Sequence, residues 1–204
     1  IYVIRDLDKV CSHLHLPVQS GSNKILKKMN RGYTREKYID RILKLRKECP
    51  DIALSTDIIV GFPSETWEDF KDTMNLLREI EFDSIFAFAY SDRSSAPAAR
   101  FSDQIDEDEK KERLNNLLEL QEYYTGKKNK QQIGKILDVL VEGKSGKLRD
   151  GFDHVQKSME QMVGRTQSNK IVHFPSKDVI IGDIIKIRIE NAYPHSLWGH
   201  PQGA

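Results

Sequence analysis

Hydrophobic positions along this chain change their spacing twice, which divides it into three stretches. From His13 to Ser91 short apolar runs alternate with segments of helical period. His13–Val18 reads as a strand, and Ile25, Leu26 and Met29 place a short helix over 23–29. Thr34 suits a helix N-cap, with Lys37 three positions on, so the cap lacks its reciprocal partner. The helix it opens runs from Arg35 to Glu48, with Tyr38, Ile39, Ile42, Leu43 and Leu45 on one face and Pro50 ending it. The run 52–62 is almost continuously apolar, as expected of a parallel strand covered on both faces. Thr66, with Asp69 three positions on, caps a helix over 67–80 whose inner stripe is Phe70, Met74, Leu77 and Ile80. The next strand covers 84–91. Strands separated by helices make successive βα units, hence a parallel sheet or part of a barrel. Residues 1–12 supply a short helix or loop before the first strand.

A long charged helix then spans 107–132, capped by Asp106, with Leu114, Leu117, Leu118 and Tyr124 as a narrow stripe. From Ile133 the period becomes two. Strands are expected over 135–143, 162–166, 170–174, 184–190 and 196–199, with 145–161 as a long polar hairpin connection that can include helix. Five short strands with glycine turns predict a small closed β-barrel of OB-like size. The domain reading is therefore 1–132 and 133–204, an α/β part followed by a β part.

Composition changes this picture little. The chain has 204 residues, 31% charged and 38% hydrophobic, with net charge +1, so bulk charge alone does not announce a nucleic-acid binder. No apolar run approaches the roughly 20 residues of a membrane span, and the default location is the cytoplasm. The opening Ile1-Tyr2-Val3-Ile4 has no initiator Met and reads like the middle of a domain. The two cysteines, Cys11 and Cys49, are far apart. An iron–sulfur cluster takes three or four clustered thiolates, so this chain cannot hold one by itself.

Three polar residues stand where the α/β pattern places ligands. Gln19 ends the first strand, and its amide both donates and accepts, which suits ribose hydroxyls. Arg31 follows one short helix later, and a guanidinium grips a carboxylate with two hydrogen bonds. Asp57 interrupts the apolar run of the second strand, where a buried carboxylate needs a partner. Together they make a candidate nucleoside pocket. On spacing alone the plainer alternative stays open: a turn glutamine, a surface arginine and an aspartate capping a local turn. His13 and His15 alternate on one strand, so they share a face. Without a visible third ligand they read as hydrogen-bonded sheet histidines rather than a metal pair.

Several blocks carry a resemblance. His13-Leu14-His15-Leu16-Pro17-Val18-Gln19-Ser20-Gly21-Ser22, Met29-Asn30-Arg31-Gly32-Tyr33-Thr34, Asp57-Ile58-Ile59-Val60-Gly61-Phe62-Pro63 with Glu65-Thr66, and Tyr90-Ser91 with Arg93 resemble successive parts of the tRNA methylthiotransferases of the MiaB type. These are radical S-adenosylmethionine (SAM) enzymes. The terminal β part, over about 133–200, resembles a TRAM domain, an RNA-binding barrel, through Gly164-Arg165-Thr166, Asn169 and Ser196-Leu197-Trp198-Gly199. The fold so implied is the C-terminal half of a radical SAM (β/α) barrel followed by an OB-like antiparallel β-barrel. The chain departs from the family at Ser64, where the pattern has Gly, and at Arg93-Ser94-Ser95-Ala96-Pro97, where it has an Arg-Pro-Gly-Thr-Pro-like stretch.

The resemblance implies roles. Gln19 and Asp57 contact the SAM ribose, Arg31 holds the methionyl carboxylate, and backbone near Ile59 meets the adenine. On chemistry rather than resemblance, Arg93 is a candidate to reach substrate or SAM, and Arg165, Asn169 and Lys170 are candidates to contact RNA, with Lys186, Arg188 and His173 as further ones; the alternative of solvated surface groups stays open for Arg93 and for each cation. The resemblance implies 2-methylthiolation of N6-isopentenyladenosine at position 37 of tRNA, using SAM and two [4Fe–4S] clusters. The cluster ligands are absent from this chain, so no catalytic residue is assigned and the chain alone is expected to be inactive. Expected partners are the tRNA anticodon stem-loop, SAM, and the missing N-terminal portion or another chain covering the open barrel edge. Two further readings stand beside this one: an RNA-binding module without catalysis, and a sister methylthiotransferase acting on threonylcarbamoyl-adenosine tRNA or a ribosomal protein.

Overall fold

The computed structural model describes residues 1–92, 97–145, 160–176 and 178–202. They fold as two compact units, Ile1–Leu7 with Leu14–Tyr124, and Asp8–His13 with Thr125–Ala204.

The elements drawn on by the first unit are α1 (Tyr2–Asp6), β1 (His13–His15), α2 (Asn23–Lys28), α3 (Arg35–Glu48), β2 (Ala53–Val60), α4 (Trp67–Ile80), β3 (Ser84–Ala89), a 3-10 turn (Pro97–Arg100) and most of α5 (Glu107–Lys130). Its sheet has the order β1-β2-β3, with β2 and β3 parallel. β1 is shorter than its apolar run suggests. Pro17 has no N–H to give, and the Val18 N–H donates to the Thr56 hydroxyl at 2.9 Å. Pairing resumes at Gln19, whose N–H donates to the Asp57 carbonyl while its own carbonyl accepts from the Ile59 N–H, both at 2.9 Å. β2 is covered over most of its length, as its sequence predicts, and only Asp57 and Ile59 are partly open. Its inner side chains meet Tyr38, Ile42 and Leu45 of α3, Phe70, Leu76, Leu77 and Ile80 of α4, and Leu117 of α5 in one core. Leu43, expected on the inner face of α3, points outward at 60% exposure, and Met74 only half-packs while Leu76 takes its place.

Two N-caps form where the sequence places them. The Thr34 hydroxyl accepts from the Lys37 N–H. Thr66 and Asp69 make a full capping box, each side chain accepting from the other's backbone N–H. Asp69 also ties α4 to the start of α2, accepting from Lys24 Nζ at 2.6 Å and the Ser22 hydroxyl at 2.7 Å. Close approach of the same segments requires Gly21, where a Cβ would lie 2.4 Å from the Asp72 carbonyl oxygen. Burial alone raises the Asp69 carboxyl, but the bonds from Lys24, the Thr66 N–H and the Ser22 and Thr66 hydroxyls outweigh it and bring its pKa down to about 2. A depressed carboxyl gives stability that is present above its unfolded value and lost as pH falls through its folded one. Asp69→Asn is therefore expected to cost about 2 kcal/mol at neutral pH, with the gap to wild type closing as pH falls from about 4 toward 2. Urea unfolding across that range measures it.

The second unit is a closed barrel of β4 (Ile136–Lys144), β5 (Glu160–Thr166), β6 (Ile171–Ser176), β7 (Ile184–Ala192) and β8 (Leu197–Pro201), in the order β4-β5-β6-β8-β7. The expectation of an antiparallel barrel needs one correction: β6 and β8 pair in parallel, Val172 opposite Leu197 and His173 opposite Trp198. Alternate residues fill the interior, with Val139, Val141, Met162, Val172, Phe174, Ile187, Ile189 and Leu197 as its core. Most of the connection expected over 145–161 lies outside the described residues.

Candidate functional site

At the C-terminal ends of the three strands of the first unit is an open cleft of about 390 Å³, lined by Gln19, Asp57, Ile59, Phe88, Ala89, Tyr90 and Ser91. Register explains the convergence. Asp57 lies opposite Phe86 and Ile59 opposite Phe88, so two β2 side chains and two β3 side chains share one face. Gln19 closes the other side through its pairing with β2.

Gln19 is only 6% exposed, yet its side-chain amide makes no hydrogen bond among the described residues. Its φ is +74°, a left-handed conformation that glycine adopts freely and glutamine does not. Strain of this kind costs about 1–3 kcal/mol and collects at ligand sites. Gln19→Gly is expected to raise the stability of this unit by about 1 kcal/mol while removing the amide that faces the cleft. Denaturant unfolding together with binding of S-adenosylhomocysteine tests both halves; a variant that gains stability and keeps its affinity leaves Gln19 without a binding role.

Asp57 has the partner that its position demands. His15 Nε2 lies 3.3 Å from Asp57 Oδ1, and His15 Nδ1 lies 3.0 Å from the Ser55 hydroxyl. His15 is a hydrogen-bonded sheet residue, as its strand position predicts, and its link to Asp57 is new. The signal was there in two period-two pairs, His13 and His15 on one strand and Ser55 and Asp57 on the next. Arg31 stands apart from this group: it is exposed, follows α2, and is not among the cleft-lining residues. Arg93 lies outside the described residues.

Behind the cleft, the segment after β2 is held by α5, the feature most completely missed in the sequence. Arg113 Nη1 donates to Glu65 Oε2 at 2.6 Å and to the Glu65 carbonyl at 2.9 Å, and Nη2 donates to Glu109. Glu65 Oε2 also accepts from the Gly61 N–H at 2.7 Å. The guanidinium sits 4.9 Å from the Trp67 ring centroid. Burial pushes the Glu65 carboxyl up, against the pull of the Gly61 N–H and Arg113. Gly61 has φ +69°, and a Cβ there would meet Lys110 Cγ at 2.4 Å. The inner face of α5 thus runs Lys110, Arg113, Leu117, Gln121, Tyr124 at helical spacing. Three of the five are polar, so an apolar count does not find it. Ser64, where the family pattern has Gly, has φ +72°, which gives that preference a physical cause.

In the barrel the structure gathers Arg165, Asn169 and Lys170 at the β5–β6 turn. Asn169 takes φ +62° there. Arg165 bonds Asn169 Oδ1 at 3.0 Å and Glu142 at 2.9 Å, and Lys170 Nζ bonds Asn129 Oδ1 at 3.0 Å. Lys186 pairs with Asp138 at 3.0 Å. The Arg165–Glu142 and Lys186–Asp138 pairs are exposed and therefore weak, so a phosphate can compete for these two cations.

Residues 2–77 match the radical SAM superfamily profile and residues 130–201 the TRAM domain profile. Over 98% of its length the chain is 47% identical to the tRNA-2-methylthio-N(6)-dimethylallyladenosine synthase of Thermoanaerobacter pseudethanolicus. Over nearly its whole length the chain is similar to methylthiotransferases of the MiaB type. The synthase of the same name from Clostridium botulinum strain Hall is also 47% identical, and that from Acetivibrio thermocellus 46%, each over 98% of this chain. The chain spans about two fifths of the length of these relatives, between 39% and 42%.

Iron–sulfur clusters of MiaB-type enzymes find no ligand set here. Cys11 is exposed and Cys49 half-buried, and among the described residues no group of three His, Cys, Asp or Glu side chains comes together. A nucleoside fits better: the cleft offers an unbonded amide, a carboxylate with one oxygen open and the apolar Ile59 side by side. Among the described residues no helix is long and apolar enough to cross a membrane.

Proposed function

We propose that this chain is the C-terminal portion of a tRNA methylthiotransferase that acts on N6-isopentenyladenosine at position 37. The observation that carries the proposal is the meeting of Gln19, Asp57 and Ile59 in one cleft, in a chain 47% identical to synthases named for that product. The sheet and its helices are half of a radical SAM (β/α) barrel, and the cleft is its SAM site. Bound there, SAM supplies the methyl group and the adenosyl group that the chemistry consumes. This chain's residues bind and orient. The Gln19 amide and the Asp57 carboxylate hydrogen-bond the ribose, the backbone near Ile59 meets the adenine, and Arg31 holds the methionyl carboxylate. Arg165, Asn169 and Lys170 engage the anticodon stem-loop, and Arg93 is assigned to substrate. The activity depends on cluster-bearing residues that this chain does not contain, and the working enzyme is assigned to the cytoplasm.

Nucleoside mass spectrometry on tRNA from cells lacking their own methylthiotransferase tests this. The chain extended upstream through the family's cluster cysteines is expected to restore 2-methylthio-N6-isopentenyladenosine, and the chain alone is not. Restoration by neither form refers the substrate to the sister reactions on threonylcarbamoyl-adenosine or a ribosomal protein. Binding of RNA without binding of S-adenosylhomocysteine by the extended protein favours a binding module instead.

A further inference from the structure

We infer that His15 is a positioning residue of the cleft, holding the Asp57 carboxylate toward the ribose hydroxyls of the bound nucleoside; the inference rests on the SAM-site reading above. Ser55 and Asp57 are two apart on β2, so their side chains leave the same face. The His15 ring spans the two, with Nδ1 3.0 Å from the Ser55 hydroxyl and Nε2 3.3 Å from Asp57 Oδ1. Phe86, which faces Asp57 across the β2–β3 register, stands edge-on to the ring, centroids 5.7 Å apart at 73°. Hydroxyl, carboxylate and aromatic ring thus fix the imidazole from three sides. In the tautomer protonated at Nε2, Nδ1 accepts from the Ser55 hydroxyl and the ring N–H points at Asp57.

This arrangement occupies one carboxylate oxygen and leaves the other. Asp57 Oδ2 has no partner among the described residues, and the side chain is 30% exposed on the cleft. An anchored carboxylate with one free oxygen accepts a ribose hydroxyl without first losing rotamer freedom. His15 touches no cleft wall of its own, so its effect passes through Asp57 and is confined to the sugar.

The experiment uses the protein extended through the cluster-binding region, and two probes, S-adenosylhomocysteine and its 2′-deoxy counterpart, by calorimetry. Wild type is expected to prefer the hydroxylated probe. His15→Phe keeps the ring and its edge contact but removes the donor, and should weaken S-adenosylhomocysteine about tenfold while leaving the deoxy probe unchanged. His15→Gln, which restores a donor at the same reach, should recover most of the preference, and Asp57→Ala should abolish it. A His15→Phe protein that keeps the full preference, or that loses both probes equally, overturns the positioning role. A wild type that does not distinguish the probes overturns the ribose reading of the cleft, and the role of His15 falls with it.

Discussion

Arg113→Met is expected to destabilise the first unit by about 3–5 kcal/mol, the cost of leaving a buried charge without its partner. Arg113 is 1% exposed and Glu65 2%. Each already has one atom without a hydrogen bond, Arg113 Nε and Glu65 Oε1, so the pair has no reserve. With a thioether in place of the guanidinium, Glu65 keeps only the Gly61 N–H, and its carboxyl, already raised by burial, moves further up. A raised carboxyl contributes stability below its unfolded value and loses it as pH rises through its folded one. The deficit should therefore be largest near pH 7 and smaller at about pH 4, by which point a carboxyl raised above its ordinary value is already protonated. Urea unfolding at both values decides the matter, and a deficit independent of pH refers the loss to packing against Trp67. The same variant should weaken nucleoside binding, because the Gly61 backbone that Glu65 holds follows Ile59 by two residues.

Phe174→Ala should cost the barrel a similar amount, about 3–5 kcal/mol, by leaving a cavity in a core with little to spare. Phe174 is fully buried among seven other apolar residues. A domain this small rarely has more than about 3–5 kcal/mol in hand, so the change brings it close to unfolding at 25 °C. Amide hydrogen exchange read residue by residue measures it. Protection is expected to fall from β4 to β8 and to persist in β2 and β3. Loss of protection in both units together would mean that they unfold as one cooperative block.

Much of this molecule was legible from local pattern. The continuous apolar run of β2 announced a strand buried on both faces, and the two threonine caps were readable because their partners lie three residues away. Gln19 and Asp57 were legible as cleft residues because they sit at the ends of neighbouring strands, and Ile59 was added by resemblance. What stayed hidden depends on contacts far apart in sequence. The parallel pairing of β6 with β8 skips β7 and has no local signature. Arg113 reaches 48 residues back to Glu65, and His15 reaches 40 forward to Ser55. In both cases a polar residue occupies a position where a hydrophobic count sees only surface. Arg31 was grouped with Gln19 and Asp57 on its chemistry, and its contact with a methionyl carboxylate was added by resemblance; the cleft lining does not include it. That contact is the part of the assignment that rests on analogy.

The two units also differ in how their sheets finish. The barrel closes on itself, whereas the three strands of the first unit form an open ribbon. A closed sheet has no growth face. The ribbon has two, and because β2 and β3 run parallel, a strand that extends it in the same sense must arrive on a crossover of a dozen or more residues. Short hairpins cannot satisfy it that way, so what remains available to a solitary copy is edge-to-edge contact with another copy. Association between copies is then expected at the ribbon rather than at the barrel, and a strand supplied in the same sense is expected to suppress it.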